Sequence, residues 1–140
     1  MVKRQIYAKL VYHVYNRAVL KQTLFRREAD YRFFIDRIEQ YKNNHRVDVI
    51  TFCIMPNHFH MLIYAREERV DISRFMKSLQ HSYAFYFKRN YGSEGHVFES
   101  RYKHKLVKDP IYLSNIIAYI KNNPVRKGLV DSADKWRFTR

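Results

Sequence analysis

Acidic residues are scarce in this 140-residue chain. Thirteen Asp and Glu stand against 27 Lys and Arg, giving a formal charge of +14. Such a field concentrates polyanions at the surface, so nucleic acid is the first partner to consider. Charge alone separates neither DNA from RNA nor binding from chemistry. Cysteine is nearly absent. Cys53 is the single one, set between Phe52 and Ile54, so no disulfide closes within the chain. It reads as a buried, inert thiol and points weakly to an intracellular setting. With only three Gly and three Pro, the chain is neither collagen-like nor a low-complexity linker. No apolar run approaches the ~20 residues that cross a bilayer. No helical pattern joins a basic face to a broad apolar one, which ranks a membrane surface below nucleic acid. The basic N-terminus lacks a continuous apolar stretch, so it does not read as a signal peptide.

Apolar and aromatic residues are plentiful. They make up 46% of the chain, with 10 Phe and 12 Tyr, enough for one core. The expectation is a single domain over residues 1–140.

Residues 6–15, "IYAKLVYHVY", alternate and are rich in β-branched and aromatic types, which predicts a strand. A loop follows, with Asn16 as a turn former. Residues 27–44 place Phe33, Phe34, Ile38 and Tyr41 at helical steps and end at Asn43-Asn44. "RVDVITFCIM" and "HFHMLIYA" read as strands joined by a Pro56-Asn57 turn. Residues 71–92 predict a helix with Asp71 as N-cap, an aromatic stripe and Gly92 at its close. Residues 96–107 predict a basic strand. The next helix opens on Asp109-Pro110 and stops at Asn123-Pro124. Residues 125–140 read as a tail. The order β-α-β-β-α-β-α matches a ferredoxin-like split βαβ arrangement in the α+β class. It predicts one antiparallel sheet with two helices on one face and an extra C-terminal helix.

Within "NHFH", strand alternation puts His58 and His60 on one face and turns Phe59 to the other with Met61 and Ile63. Two imidazoles so placed can share a cation, and they can equally be core histidines. In the last helix Leu113, Ile116, Ile117 and Ile120 form an apolar stripe. Tyr112, Asn115, Tyr119 and Asn123 form a second row at steps of three and four. An Asn carbonyl can ligate a metal beside a Tyr one turn earlier. On spacing alone, Asn123 also serves simply to end the helix, with Tyr119 packed on the sheet.

Four stretches carry a resemblance: "HVYNRAVLKQTLF", "MPNHFHMLI", "GHVFESRYKHKLV" and "YIKNNPVRKGLV". "HFH" resembles the His-hydrophobe-His motif of the HUH endonuclease superfamily. Together the four resemble the single-tyrosine transposases of insertion sequences and their REP-associated relatives, over roughly residues 10–130. The resemblance implies a ferredoxin-like fold and a divalent metal ion, Mg²⁺ or Mn²⁺, held by His58, His60 and Asn123. Asn123 departs mildly from relatives that carry the longer Gln there. It implies Tyr119 as the nucleophile that forms a 5′-phosphotyrosine link, so that DNA strands are cut and rejoined without ATP.

The implied partner is single-stranded DNA, typically a hairpin at an element's end, handled by a monomer or a homodimer. A DNA-acting enzyme of this kind is expected in the cytoplasm, at the nucleoid. Arg101, Lys103 and Lys105 alternate along the last strand and share one sheet face, which reads either as a solvated face or as a phosphate contact, and Arg126 and Lys127 follow the catalytic helix, where they can grip DNA. Tyr83, Tyr86 and Tyr91 read as packing residues, whereas Tyr102 sits on the basic strand and reads as a candidate DNA contact. The alternative is a non-catalytic, domesticated repressor that only binds single-stranded nucleic acid.

Overall fold

The computed structural model describes residues 5–140; the first four residues of the basic N-terminus lie outside them. The chain runs β1 (Val11–Arg17), α1 (Glu28–Asn44), β2 (Val47–Met55), β3 (His58–Ala65), α2 (Val70–Tyr91), β4 (Lys103–Leu106), α3 (Pro110–Lys121) and the single turn α4 (Asn123–Arg126). The four strands form one sheet in the order β2-β3-β1-β4, and each neighbouring pair is antiparallel. This is the ferredoxin-like split βαβ arrangement of the α+β class, as the order of elements predicts.

Alternation divides the sheet's residues between two faces. Val14, Phe52, Ile54, Phe59, Met61 and Ile63 are buried in a core with Phe34 and Ile38 of α1 and Phe75, Leu79 and Tyr83 of α2. Phe25 sits between Tyr31, Phe34 and Tyr83 at ring-centroid distances of 5.1, 5.2 and 4.7 Å. Burying that many aromatics removes the largest apolar areas from water. The opposite face is covered by α3. Its stripe of Leu113, Ile116, Ile117 and Ile120 meets Val11, Cys53, Met55 and Leu62. Burial there pushes the Cys53 thiol up to about 11, so it is an inert thiol as expected.

Asp30 anchors the first core. It is buried, and its carboxylate accepts hydrogen bonds from the amides of Arg26 (2.9 Å) and Arg27 (3.1 Å), from the Tyr86 hydroxyl (2.8 Å) and from Tyr91. Burial pushes this carboxyl up, and the hydrogen bonds together outweigh it, leaving it below its ordinary range. Tyr83 donates to the Leu24 carbonyl at 2.6 Å. The three α2 tyrosines are therefore structural.

Several boundaries differ from the sequence expectation. β1 begins at Val11 rather than residue 6 and runs on through Asn16. Asn16 forms no turn. It is buried, and its amide donates to Gln80 Oε1 at 2.9 Å and to the Ser100 carbonyl at 2.8 Å, tying β1 to α2 and to the segment before β4. β4 spans four residues instead of twelve, because only residues 103–106 pair with β1. Asp71 lies inside the first turn of α2 and does not cap it. Gly92 takes the left-handed conformation (φ 63°) that closes the helix. Asp109 caps α3, accepting from the Tyr112 amide at 2.8 Å.

The tail is part of the fold. Ile54 donates its amide to Phe138, and Phe52 and Arg140 exchange backbone hydrogen bonds, so residues 138–140 lie along the free edge of β2. Phe138 stacks on Tyr31 with centroids 3.9 Å apart, and Trp136 Nε1 donates to the Ile54 carbonyl at 2.9 Å.

Candidate active site

The hairpin turn at Pro56-Asn57 sets His58 opposite Met55, and β3 then pairs His60 with Tyr15 of β1. Register thus puts His58 and His60 on the α3 face, as their spacing predicts, with ring centroids 5.1 Å apart and planes nearly perpendicular. Both are held by neighbours. His58 Nδ1 lies 2.7 Å from Asn57 Oδ1, and His60 Nδ1 lies 2.9 Å from His13 Nε2. Each ring keeps Nε2 as its remaining nitrogen.

Burial in a basic setting makes both imidazoles weak bases. Desolvation first, then Lys127, lowers His58 to about 4, despite a favourable contribution from Asn123. Desolvation, the neighbouring His13 and His58, Arg126 and Lys127 lower His60 to about 3. His13 falls to about 4 through desolvation and Lys105. At neutral pH the rings are uncharged, the form that can ligate a metal.

α3 ends at Lys121, and the chain turns at Asn122 into α4. The sequence expectation that the helix simply stops before Pro124 is corrected here. Proline fits the first turn of α4, where no amide donor is required. The backbone stays helical at Asn122 (φ −88°, ψ −1°), and Asn123 and Tyr119, expected on one side, both lie beside the histidines. Asn123 is 2% exposed and turned inward beside His58; Tyr119 is 49% exposed. Tyr119 stays close to the histidines, its ring meeting that of His60 edge to face at 6.3 Å. The Arg126 guanidinium stacks over the Tyr119 ring at 3.8 Å.

The amide oxygen of Asn123 is buried with no well-formed hydrogen bond, although the His58 ring lies close enough for the Asn123 side chain to favour its charged form. A buried acceptor left unsatisfied costs about 1–3 kcal/mol, so this one calls for a donor or a cation. Its neighbours are neutral imidazoles, and the set of two nitrogens and an amide oxygen suits a divalent ion. Among the described residues no group of three or more His, Cys, Asp and Glu side chains gathers, so these three ligands would leave further positions to water or substrate oxygen.

The cations divide. Lys103 and Lys105 pair with Tyr15 and His13 on β4, which places them on the histidine face. Arg101 precedes the strand, so the expected three-residue face is reduced to two; Arg101 instead lines a shallow depression beside Lys103. Lys127 lines a cleft of about 570 Å³ with His58, His60, Tyr15, Lys21 and Lys103. Tyr102 is buried and its hydroxyl lies 3.1 Å from Ser73 Oγ of α2, so it packs against that helix. Sequence reasoning missed His13, Tyr15 and Lys21. His13 and Tyr15 share the i, i+2 spacing of His58 and His60, and that spacing becomes informative only once β1 is known to pair with β3.

A ferredoxin-like sheet with a histidine pair facing a tyrosine on a late helix defines the class of HUH single-tyrosine enzymes. The family model described as "Transposase IS200 like" matches residues 6–123, and the chain belongs to that family. Two solved structures share the fold. One is a REP-associated tyrosine transposase bound to a REP hairpin, with TM-score 0.83 and 15% identity over 99% of this chain and 81% of that one. The other is a putative transposase from Deinococcus radiodurans R1, with TM-score 0.58 and 19% identity over 87% of this chain and 97% of that one. No curated protein matches the chain.

Proposed function

We propose that this transposase cuts and rejoins single-stranded DNA through a covalent bond to Tyr119, with a divalent cation held by His58, His60 and Asn123. The observation that carries this reading is the meeting of three elements at one point. β3 brings two neutral imidazoles, α4 brings a buried amide oxygen beside His58, and α3 brings an accessible tyrosine against His60.

When bound, the cation supplies Lewis-acid polarisation of the scissile phosphate. Mn²⁺ suits a set with two nitrogens at least as well as Mg²⁺, which prefers oxygen. The remaining roles fall to side chains. The Tyr119 oxygen attacks phosphorus, a Tyr O–P bond forms, and the bond from phosphorus to the 3′ oxygen breaks. The tyrosine proton passes to solvent, and the departing 3′ oxygen takes one from solvent to become a hydroxyl. Arg126, stacked on the Tyr119 ring, restrains it and sets a guanidinium beside the place where phosphate charge gathers. Lys21, Lys103 and Lys127 line the approach and bind the strand's backbone. The REP hairpin held by the structural relative supports a hairpin as the substrate's recognition element.

The test is incubation of labelled single-stranded DNA carrying the element's own ends with protein and Mn²⁺ or Mg²⁺. A denaturant-resistant adduct should form, fail to form when EDTA is present from the start, and be absent in Tyr119→Phe. Salt-dependent binding that ignores EDTA and yields no scission would instead establish a non-catalytic binding module.

A further inference from the structure

β1 brings a third histidine to the site, and the reaction as proposed gives it no role. His13 is 5% exposed. Its Nε2 lies 2.9 Å from His60 Nδ1. Its ring lies 4.7 Å from that of Tyr15 and 5.1 Å from that of His60, and those two are 5.8 Å apart, centroid to centroid, so the three rings cluster. Its other nitrogen, Nδ1, is buried with no hydrogen-bond partner. A buried imidazole with one nitrogen unsatisfied is costly, and a leucine there would fill the space without that cost.

The bond between the two rings contains one proton, and its direction decides what His60 can do. If His60 donates from Nδ1, its Nε2 carries a lone pair. If His13 donates, the His60 proton sits on Nε2 and that nitrogen is closed to a metal. At His58 the same choice is already made. Asn57 Oδ1 is only an acceptor, so His58 Nδ1 carries the proton and Nε2 bears the lone pair, with the Asn123 side chain beside the ring. A pair of ligands offering the same nitrogen therefore requires His13 to accept.

We propose that His13 is a positioning residue whose Nε2 accepts a hydrogen bond from His60 Nδ1, fixing His60 in the tautomer that presents Nε2 to the divalent cation. It plays the part that a carboxylate or carbonyl plays behind many metal-bound histidines. The proposal rests on the cation reading of the site. Its own content is the orientation and proton position of His60, which exist without the metal.

Two measurements test it. Long-range ¹H–¹⁵N NMR on the metal-free, histidine-labelled protein near pH 7.5 should show His60 protonated at Nδ1 and bare at Nε2. Mn²⁺ affinity, read from the EPR signal of the free ion, should fall about 10–100-fold in His13→Leu. It should fall less in His13→Gln, which keeps an acceptor. A His60 proton on Nε2, or a His13→Leu affinity within twofold of wild type, overturns the assignment. If His13→Leu does not fold, the wild-type tautomer and His13→Gln decide. If wild-type protein binds no Mn²⁺, the cation reading fails, and the NMR spectrum still decides the role of His13.

Discussion

The buried histidines tie folding to pH. His13 and His58 sit at about 4 and His60 at about 3, all lowered chiefly by desolvation. The unfolded chain takes up these protons as pH falls through the ordinary value near ~6.5, whereas the folded chain does not until pH is far lower. Between those limits the unfolded state binds more protons, so stability rises with pH and is lost on acidification from about 6.5 toward 4. The limit is on the order of 3 kcal/mol per histidine, less for the coupled His13 and His60. The urea midpoint at constant ionic strength should fall across that window, and His58→Gln should reduce the slope. A midpoint flat from pH 6.5 to 4.5 would contradict the burial of neutral rings. Asn123 gives a second residue-scale expectation. Its oxygen has no well-formed hydrogen bond to lose, so Asn123→Ala should cost no more than about 1 kcal/mol of folding stability, the typical size for a point substitution. Mn²⁺ affinity should nevertheless drop at least about tenfold, as expected when one of three protein ligands is lost.

At the scale of elements, the helical and strand periods were readable because each has one apolar face. α1, the β2–β3 hairpin and α3 follow the pattern closely, down to the Asp109 cap. The orientation of His58 and His60 followed from the two-residue strand period alone. Three features were hidden. The burial of Asn123, beside a half-exposed Tyr119, is not written in the spacing, which does not say which of two residues on one side of a helix the sheet covers. β4 is short because pairing partners, not composition, set its length. The tail gave no periodic signal, since its hold on β2 comes from backbone hydrogen bonds and two aromatic contacts far apart in sequence. That tail should carry measurable stability. Phe138 is 8% exposed and stacked on Tyr31, so Phe138→Ala should cost about 3 kcal/mol in urea unfolding, in the range for large-to-small core changes. A cost below about 0.5 kcal/mol, the size of an ordinary surface substitution, would mean that the edge contact is not held in solution.

The whole molecule carries its charge of +14 unevenly in function. Lys103 and Lys105 stand on the face with the histidines, while many other cations, such as Arg32 with Glu28 and Arg46 with Glu67, are engaged in surface ion pairs. Each phosphate contact on a single strand contributes about −0.7 to the slope of log K against log salt. Neutralising both lysines (Lys103→Gln with Lys105→Gln) should therefore make the slope shallower by about 1.4. The same pair of changes should leave the urea midpoint in place, because both side chains lie on the surface. An unchanged slope would remove these lysines from the DNA path.

The central claim is that Tyr119, among twelve tyrosines, forms the covalent bond. The direct measurement is peptide mass spectrometry after reaction with single-stranded DNA and nuclease trimming. The nucleotide adduct should map to Tyr119 alone, on the peptide that ends at Lys121. An adduct on Tyr15 or Tyr112, or one that persists in Tyr119→Phe, would contradict the account.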